Sequence, residues 1–198
     1  RQCCMRDGHG SVTIGSEMAG GVKNLVVKDC LFLHTDRGLR IKTRRGRGKD
    51  AIIEGVLFDN IHMDNVMTPF VANSFYFCDP DGHTEYVRTK EALPVDNRTP
   101  DIRSLTFRNI QADNCHVAAA FFYGLPERKI GRVEMTNVQV NYAKETQTGV
   151  PAMMEGVDPM TRQGLFAANI KTLVLKNVSI QGQDGPEMVL EHIDNVES

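Results

Sequence analysis

The chain has 198 residues, of which 41% are hydrophobic and 24% charged, and its formal net charge is -2. These values are ordinary for a single globular domain over residues 1–198, and the charge gives no general attraction to nucleic acid or to anionic membranes. No apolar run reaches the roughly 18 residues that a membrane-spanning helix needs.

The first conspicuous segment is rich in glycine and contains a histidine. It reads Asp7-Gly-His9-Gly-Ser-Val-Thr-Ile-Gly-Ser-Glu17. Glycines on both sides of His9 leave the ring exposed and let the backbone approach a ligand. A lone histidine is more often structural than catalytic, so this segment by itself leaves both interpretations open.

A short apolar pattern follows and occurs five times along the chain. Alternating apolar positions predict a strand with one buried face, and an Asn or Asp then interrupts the alternation before it resumes. Asn and Asp tolerate the left-handed backbone conformation, so each copy predicts strand, sharp bend, strand. The copies begin at Val22, Ile53, Ile102, Ile130 and Ile170, their bends lie at Asp29, Asn60, Asn109, Asn137 and Asn177, and a degenerate sixth copy covers Ile193–Val196.

The spacing of the bends predicts an all-β fold of stacked coils. Successive bends are 31, 49, 28 and 40 residues apart, which fits the range of about 20–50 residues for one solenoid turn. A β-sandwich would place its strands every 8–12 residues or so. A leucine-rich repeat would keep a fixed period, and no helical stripe is present. The sequence therefore predicts a parallel β-helix, in which insertions project as loops.

Between the first two copies lies a basic segment, Thr35–Lys49. In a strand reading Arg40-Ile41-Lys42, alternation sends Ile41 into the core and both cations to the outer face. We expect Arg44, Arg45 and Arg47 to extend this positive patch in a glycine-punctuated loop. Such a patch suits a polyanionic ligand, and a solvated basic loop is the equally open alternative.

Further along the chain, the insertion at 79–100 is polar and rich in proline, so we expect a loop. The five cysteines form no Cys-x-x-Cys pair. Cys30 and Cys115 lie near apolar runs, which predicts buried unpaired thiols. This favours a bacterial cytoplasm or periplasm over a disulfide-rich extracellular setting, and the compartment stays open.

The Gly8-His9-Gly10 motif, followed one coil later by Arg40-Ile41-Lys42, resembles glycoside hydrolase family 28, the polygalacturonases. The run Thr35–Gly48 is similar to the bacterial exo-acting branch, as is Phe121–Glu127, and the resemblance covers essentially the whole chain. It implies a right-handed parallel β-helix that hydrolyses α-1,4-galacturonan with inversion. Polygalacturonate or an oligogalacturonide is the implied partner, with no metal, cofactor, nucleic acid or membrane.

The resemblance also implies roles for individual residues. His9 matches the active-site histidine that supports the catalytic carboxylates. Arg40 and Lys42 match the residues that grip the galacturonate carboxylate. Tyr76 matches a substrate-contacting tyrosine loosely. We also expect Arg44 and Arg45 to bind substrate.

One departure limits the resemblance. The family's catalytic acids lie in Asn-Thr-Asp and Asp-Asp motifs upstream of Gly-His-Gly, and this sequence contains neither. An inverting glycosidase needs two carboxyl groups about 6.5–9.5 Å apart, and the resemblance gives that role to neither Asp7 nor Asp36. We therefore expect a C-terminal section without its N-terminal coils, inactive in isolation. Its first coil, around Met5–Glu17, is expected to self-associate because it lacks a cap.

Other functions stay open. The chain could be a non-catalytic module that binds anionic oligosaccharides. A pectate-lyase-like β-helix would need a carboxylate cluster for calcium, with six to eight oxygen ligands in all, and none is visible near Arg40. Exo or endo action, and galacturonan or rhamnogalacturonan as substrate, are also open, although the 79–100 insertion hints at an exo enzyme whose cleft is walled off at one end.

Overall fold

The computed structural model describes all residues, Arg1–Ser198, and consists almost entirely of β-strands. Two one-turn helices complete it, and no helix is long and apolar enough to cross a membrane. The strands are β1 (Cys4–Arg6), β2 (Val12–Gly15), β3 (Val22–Lys23), β4 (Val26–Leu33), β5 (Arg37–Lys42), β6 (Ile52–Glu54), β7 (Val56–Asp64), β8 (Thr68–Asn73), β9 (Asp101–Ile102), β10 (Ser104–Cys115), β11 (Ala118–Tyr123), β12 (Ile130–Tyr142), β13 (Gln163–Gln181) and β14 (Met188–Glu197); the helices are α1 (Asp79–Gly82) and α2 (Glu85–Arg88).

Neighbouring strands pair in parallel, coil upon coil. One arm of the main sheet contains β1, β4, β7, β10, β12 and the C-terminal part of β13. The second arm contains β2, β5, β8, β11 and the N-terminal part of β13, and β14 continues both arms because it pairs with both parts of β13. A small sheet of β3, β6 and β9 closes the coils on a third side. Each strand thus pairs with the equivalent strand one coil away, and the expected parallel β-helix is confirmed.

The five bend residues adopt the left-handed conformation that the repeat predicts. Their side chains also form a ladder, in which Asn177 donates to Asn137 at 2.9 Å and Asn137 donates to Asn109 at 3.0 Å. Asn109 instead donates to the Asp59 carboxylate at 2.9 Å, because a charged oxygen is the stronger acceptor. The φ angles are 57° at Asp29, 56° at Asn60, 55° at Asn109, 54° at Asn137 and 51° at Asn177.

A second column of bends starts the second arm, and the repeat pattern gave no sign of it. Its φ angles are 57° at Asp7, 53° at His34, 56° at Asn65 and 52° at Asn114. Backbone bonds link successive members: the His34 amide donates to the Asp64 carbonyl at 3.0 Å. This column places Asp7 and His34 side by side, a few residues before β2 and β5 begin.

The core fills the space between the arms with aliphatic and aromatic side chains. Phe58 lies between Phe32 and Phe107, with ring centroids 6.3 and 5.8 Å away, and Phe107 also contacts Phe70 at 4.8 Å and Phe122 at 6.0 Å. Each such burial contributes about 1.5–3 kcal/mol. This aromatic column runs across successive coils and holds them in register.

Two expectations about the surface and the thiols are also resolved. Cys30 and Cys115 are buried and free, as predicted. Residues 79–100 contain only α1 and α2 and no strand, which confirms the loop. Exposed large hydrophobic residues gather on the last strand, β14, where Leu190 is 38% and Val196 49% exposed.

Candidate active site

Strand β5 presents two cations on the outer side of the second arm. Ile41 is fully buried in the core, as the alternation predicts, and Arg40 and Lys42 are half-buried on the opposite side. In the parallel register, Arg40 lies opposite Val71 and Lys42 lies opposite Asn73 on the next coil. The alternation of one strand therefore places both positive charges on one face.

Lys42 lies over an aromatic ring. Its Nζ is 5.1 Å from the centroid of Tyr76, which is 6% exposed. Burial, followed by the nearby charge of Arg40, lowers the pKa of Lys42, while the carboxylate of Glu17 acts in the opposite sense. Burial raises the pKa of Tyr76. The structure thus brings Arg40, Lys42 and Tyr76 together, and adds Glu17, which sequence reasoning had not singled out.

Neither Arg40 nor Lys42 joins an ion pair. The only side-chain hydrogen bond of Arg40 runs from Nη2 to the Sδ of Met153 at 2.8 Å, and a thioether is a weak acceptor. By contrast, Arg47 on the following loop is paired with Glu17 at 3.5 Å. Two like charges therefore lie close together without a carboxylate partner of their own.

The expectation of an exposed basic loop is wrong for Arg44. Only 2% of its side chain is exposed. Its guanidinium donates to both carboxylate oxygens of Asp81, at 3.0 and 2.8 Å, and to the Cys78 carbonyl at 2.8 Å. The 79–100 insertion folds back over the arginine, so Arg44 anchors that insertion to the β-helix.

The same expectation is wrong for Arg45, which is 1% exposed. Its guanidinium binds Glu127, itself 4% exposed, through two bonds of 2.6 and 2.9 Å. It also donates to the carbonyls of Thr89 at 2.8 Å and Glu91 at 3.0 Å. The local sequence could not show this burial, because all the partners lie more than 40 residues away along the chain.

His9 lies at the start of the same arm, with 91% of its side chain exposed. Its Nδ1 is 2.7 Å from Oδ2 of Asp36 on the next coil. A Cβ at Gly10 would lie 2.4 Å from Oγ1 of Thr13 and 3.4 Å from the Cβ of Arg40, so the glycine lets the histidine segment pack against β2 near that arginine. A surface depression of about 350 Å³ lies here, and it is lined by Asp7, Gly8, His9, His34 and Asp36.

A segment that sequence reasoning missed crosses this face. Residues 150–155 lie over the second arm and are fixed by Arg37, which donates to the Pro151 carbonyl at 2.7 Å and to the Val150 carbonyl at 2.5 Å. Burial lowers the pKa of Arg37 to about 10, although the Asp36 charge opposes the shift. We call residues 150–155 the strap.

The strap meets the 79–100 insertion. Asn73 donates to the Met153 carbonyl at 3.0 Å, and Glu155 lies 2.8 Å from Nδ1 of His83. Both contacts lie next to the coil that carries Arg40 and Lys42. The strap and the insertion therefore form one wall across the face, and only the unusual length of the two intervals hinted at it.

Under the strap, the outer side of the arm is aromatic, and Ala152 and Met154 of the strap pack in one buried cluster with Phe75 and Phe121. Phe121 stacks on Phe166 at 5.0 Å, and Tyr123 lies 5.5 Å from Phe166 and 4.9 Å from Phe75. Lys90, from the insertion, covers the Phe75 ring at 3.7 Å. No group of three or more His, Cys, Asp or Glu side chains is arranged to hold a metal ion.

The chain is similar to several curated proteins. It is 27% identical over 168 residues to a probable polygalacturonase from Vitis vinifera, covering 80% of this chain and 31% of that protein. An endo-polygalacturonase from Pectobacterium carotovorum subsp. carotovorum is 32% identical over 133 residues, 67% of this chain and 28% of that protein. An exo-poly-alpha-D-galacturonosidase from Dickeya chrysanthemi is 29% identical over 85 residues, 43% of this chain and 14% of that protein.

The chain thus spans no more than about a third of the length of these relatives. No solved structure matches it significantly. The model of glycosyl hydrolases family 28 matches residues 1–155, a stretch that includes the His9 segment, β5 and both parts of the wall. By this match and by its parallel coils, the chain belongs to glycosyl hydrolases family 28.

Proposed function

We propose that this chain forms the substrate-binding half of a pectin-degrading glycoside hydrolase site, which acts on α-1,4-linked galacturonan by inverting hydrolysis. The observation that carries the proposal is the pair of cations without carboxylate partners, Arg40 and Lys42, on one exposed face. A galacturonate carboxylate would supply the missing partner, because the guanidinium fork matches a carboxylate and the ammonium adds a mobile charge.

Tyr76 belongs to this site as the support beneath Lys42. Its ring holds the ammonium from one side at 5.1 Å, so the remaining donors of the lysine face outward. Because burial already disfavours the charged lysine, an anionic sugar bound there would restore the lost stabilisation. This is the electrostatic reason to expect a uronate rather than a neutral sugar.

We propose that the chain alone does not hydrolyse its substrate. Inverting hydrolysis requires one carboxylic acid at the leaving oxygen and one carboxylate that activates water. The nearby candidates are otherwise engaged: Asp36 with His9, Asp7 with His34 at 3.4 Å, and Glu17 with Ser16 at 2.8 Å. His9 would support carboxylates that come from the Asn-Thr-Asp and Asp-Asp motifs, which this sequence does not contain.

The wall supports exo action. Because the strap and the 79–100 insertion cross the face next to Arg40 and Lys42, a long polymer could not continue past them. Arg44 and Arg45 act here indirectly, by holding the insertion in place through the Asp81 carboxylate and the carbonyls of Thr89 and Glu91. A walled site of this kind admits chain ends and excludes the middle of a polymer.

Binding of oligogalacturonate to the purified chain tests the proposal. We expect weak binding that falls as salt rises, because exposed charges are screened over about 8–10 Å. Arg40→Ala and Lys42→Ala together should weaken binding at least about tenfold, since a charge-assisted hydrogen bond contributes about 1.5–3 kcal/mol. Calorimetry measures both effects.

The matched control is Lys171→Ala with Lys176→Ala, which removes two exposed cations from β13 on the first arm. This control should bind as the unaltered chain does. Equal loss of binding in the two double variants, binding that ignores salt, or equal binding of neutral cellulose oligomers would each contradict the proposed site.

A non-catalytic module for anionic oligosaccharides is the second candidate, because the chain carries the cations and lacks both acid motifs. The two candidates differ in one measurement. Release of reducing ends from polygalacturonate by a fusion protein that adds the Asn-Thr-Asp and Asp-Asp coils of a relative to this chain would support the hydrolase. Binding without release by that protein would support the module.

A further inference from the structure

Two histidine–aspartate pairs occupy the depression at the start of the second arm. His9 Nδ1 lies 2.7 Å from Asp36 Oδ2, and this is the only hydrogen bond of the His9 ring. His34 Nδ1 lies 3.4 Å from Asp7 Oδ1. Each pair joins neighbouring coils, and the two run in opposite directions: His9 of the first coil contacts Asp36 of the second, and His34 of the second contacts Asp7 of the first.

The backbone of Asp36 is held by the coils on both sides. Its amide donates to the Gly8 carbonyl at 3.0 Å, and its own carbonyl accepts from the Thr68 amide at 3.1 Å. Beside it, the hydroxyls of Ser11 and Thr35 lie 2.9 Å apart. The backbone of Asp36 is therefore fixed relative to the segment that carries His9, and the carboxylate, whose side chain is 47% exposed, lies within reach of the ring.

We propose that Asp36 is a positioning residue for His9, which fixes its tautomer and directs Nε2 outward. An ionised carboxylate can only accept a hydrogen bond, so Nδ1 must carry the proton at this contact. Its significance for hydrolysis rests on the proposed function. The tautomer itself does not depend on that function.

The chemical consequence lies at Nε2. While the ring is neutral, Nε2 has a free lone pair and accepts a hydrogen bond from water, a sugar hydroxyl or a protonated carboxyl group. When Nε2 gains a proton, the ring becomes an imidazolium whose Nδ1–H stays on Asp36, and the carboxylate balances the new positive charge. Asp36 thus accepts the same hydrogen bond in both states and takes no part in moving the proton.

Nitrogen-15 NMR of the imidazole rings tests the proposal at about pH 8.5, where ordinary histidines are neutral. In the unaltered chain, His9 should carry its proton on Nδ1. Asp36→Ala should shift the tautomer ratio of His9 toward Nε2–H by about three- to fivefold, as expected for an exposed pair. Asp36→Glu, which keeps an acceptor, should restore part of the original ratio.

Asp7→Asn is the matched control, because it removes a carboxylate charge from the same depression and asparagine tolerates the left-handed backbone at this position. Asp7 contacts His34 rather than His9, so the His9 spectrum should stay unchanged. An Nε2–H tautomer in the unaltered chain, or the same His9 response to Asp36→Ala and Asp7→Asn, would overturn the proposal.

Oligogalacturonate binding, measured on the same samples, separates the two hypotheses. If oligogalacturonate does not bind but His9 keeps its Nδ1–H tautomer and its response to Asp36→Ala, only the proposed function is contradicted. If oligogalacturonate binds but Asp36→Ala does not change the tautomer ratio of His9, only the positioning role of Asp36 is contradicted.

Discussion

Replacing Glu127 by glutamine would leave the charge of Arg45 buried without its counter-ion. Both side chains are almost fully buried, and two hydrogen bonds of 2.6 and 2.9 Å join them. Removing one partner of a buried pair costs about 3–5 kcal/mol, because the remaining charge loses its compensation. Gln keeps one acceptor oxygen and the Thr89 and Glu91 carbonyls remain, so we expect about 3 kcal/mol.

Urea unfolding followed by circular dichroism measures this loss. With a slope of roughly 2–3 kcal/mol per molar urea, the midpoint should fall by about 1 M. Glu91→Gln is the matched control, because it removes an exposed carboxylate from the 79–100 insertion but leaves the backbone carbonyl of residue 91 bonded to Arg45. The control should shift the midpoint by less than about 0.2 M, as surface substitutions do.

Failure would be equally informative. If Glu127→Gln and Glu91→Gln shift the midpoint alike, the Arg45–Glu127 contact is not the buried pair that the geometry describes. The insertion would then be anchored by Arg44 alone, and the argument for exo action from the wall would be weaker.

Three further predictions concern stability and assembly. Burial, and then the charge of Arg45, lowers the pKa of Lys90 to about 8. Between about pH 8 and 10 the folded state therefore binds fewer protons than the unfolded chain, and the free energy of unfolding should rise with pH. Lys90→Met should abolish this rise when unfolding is measured as a function of pH. Asn137→Ala should lower the free energy of unfolding by about 2 kcal/mol, because alanine disfavours the left-handed backbone and two hydrogen bonds of the ladder are lost. Asn137→Gly should lower it clearly less, and equal losses for the two variants would contradict the backbone argument. The edge strands β1 and β14 should make the chain self-associate, and a clean monomer at high concentration in light scattering would speak against this.

Much of the fold could be predicted because its signals are local. The left-handed preference of Asn and Asp marked five bends, and the period-2 alternation placed Ile41 inside and Arg40 and Lys42 outside. The second bend column was missed because its members are of three residue types, with His34 among them, and no repeated apolar pattern surrounds them.

The sequence by itself determined the coil, its bends and the two outward cations, since each depends on neighbours a few residues apart. Only the tertiary structure decided which arginines are free to bind a ligand. Arg40, Arg44 and Arg45 are near one another in sequence, yet the last two are buried by an insertion that returns from about 40 residues away. The Asp36–His9 contact and the strap are likewise products of stacking, because coil packing joins residues that no local pattern relates.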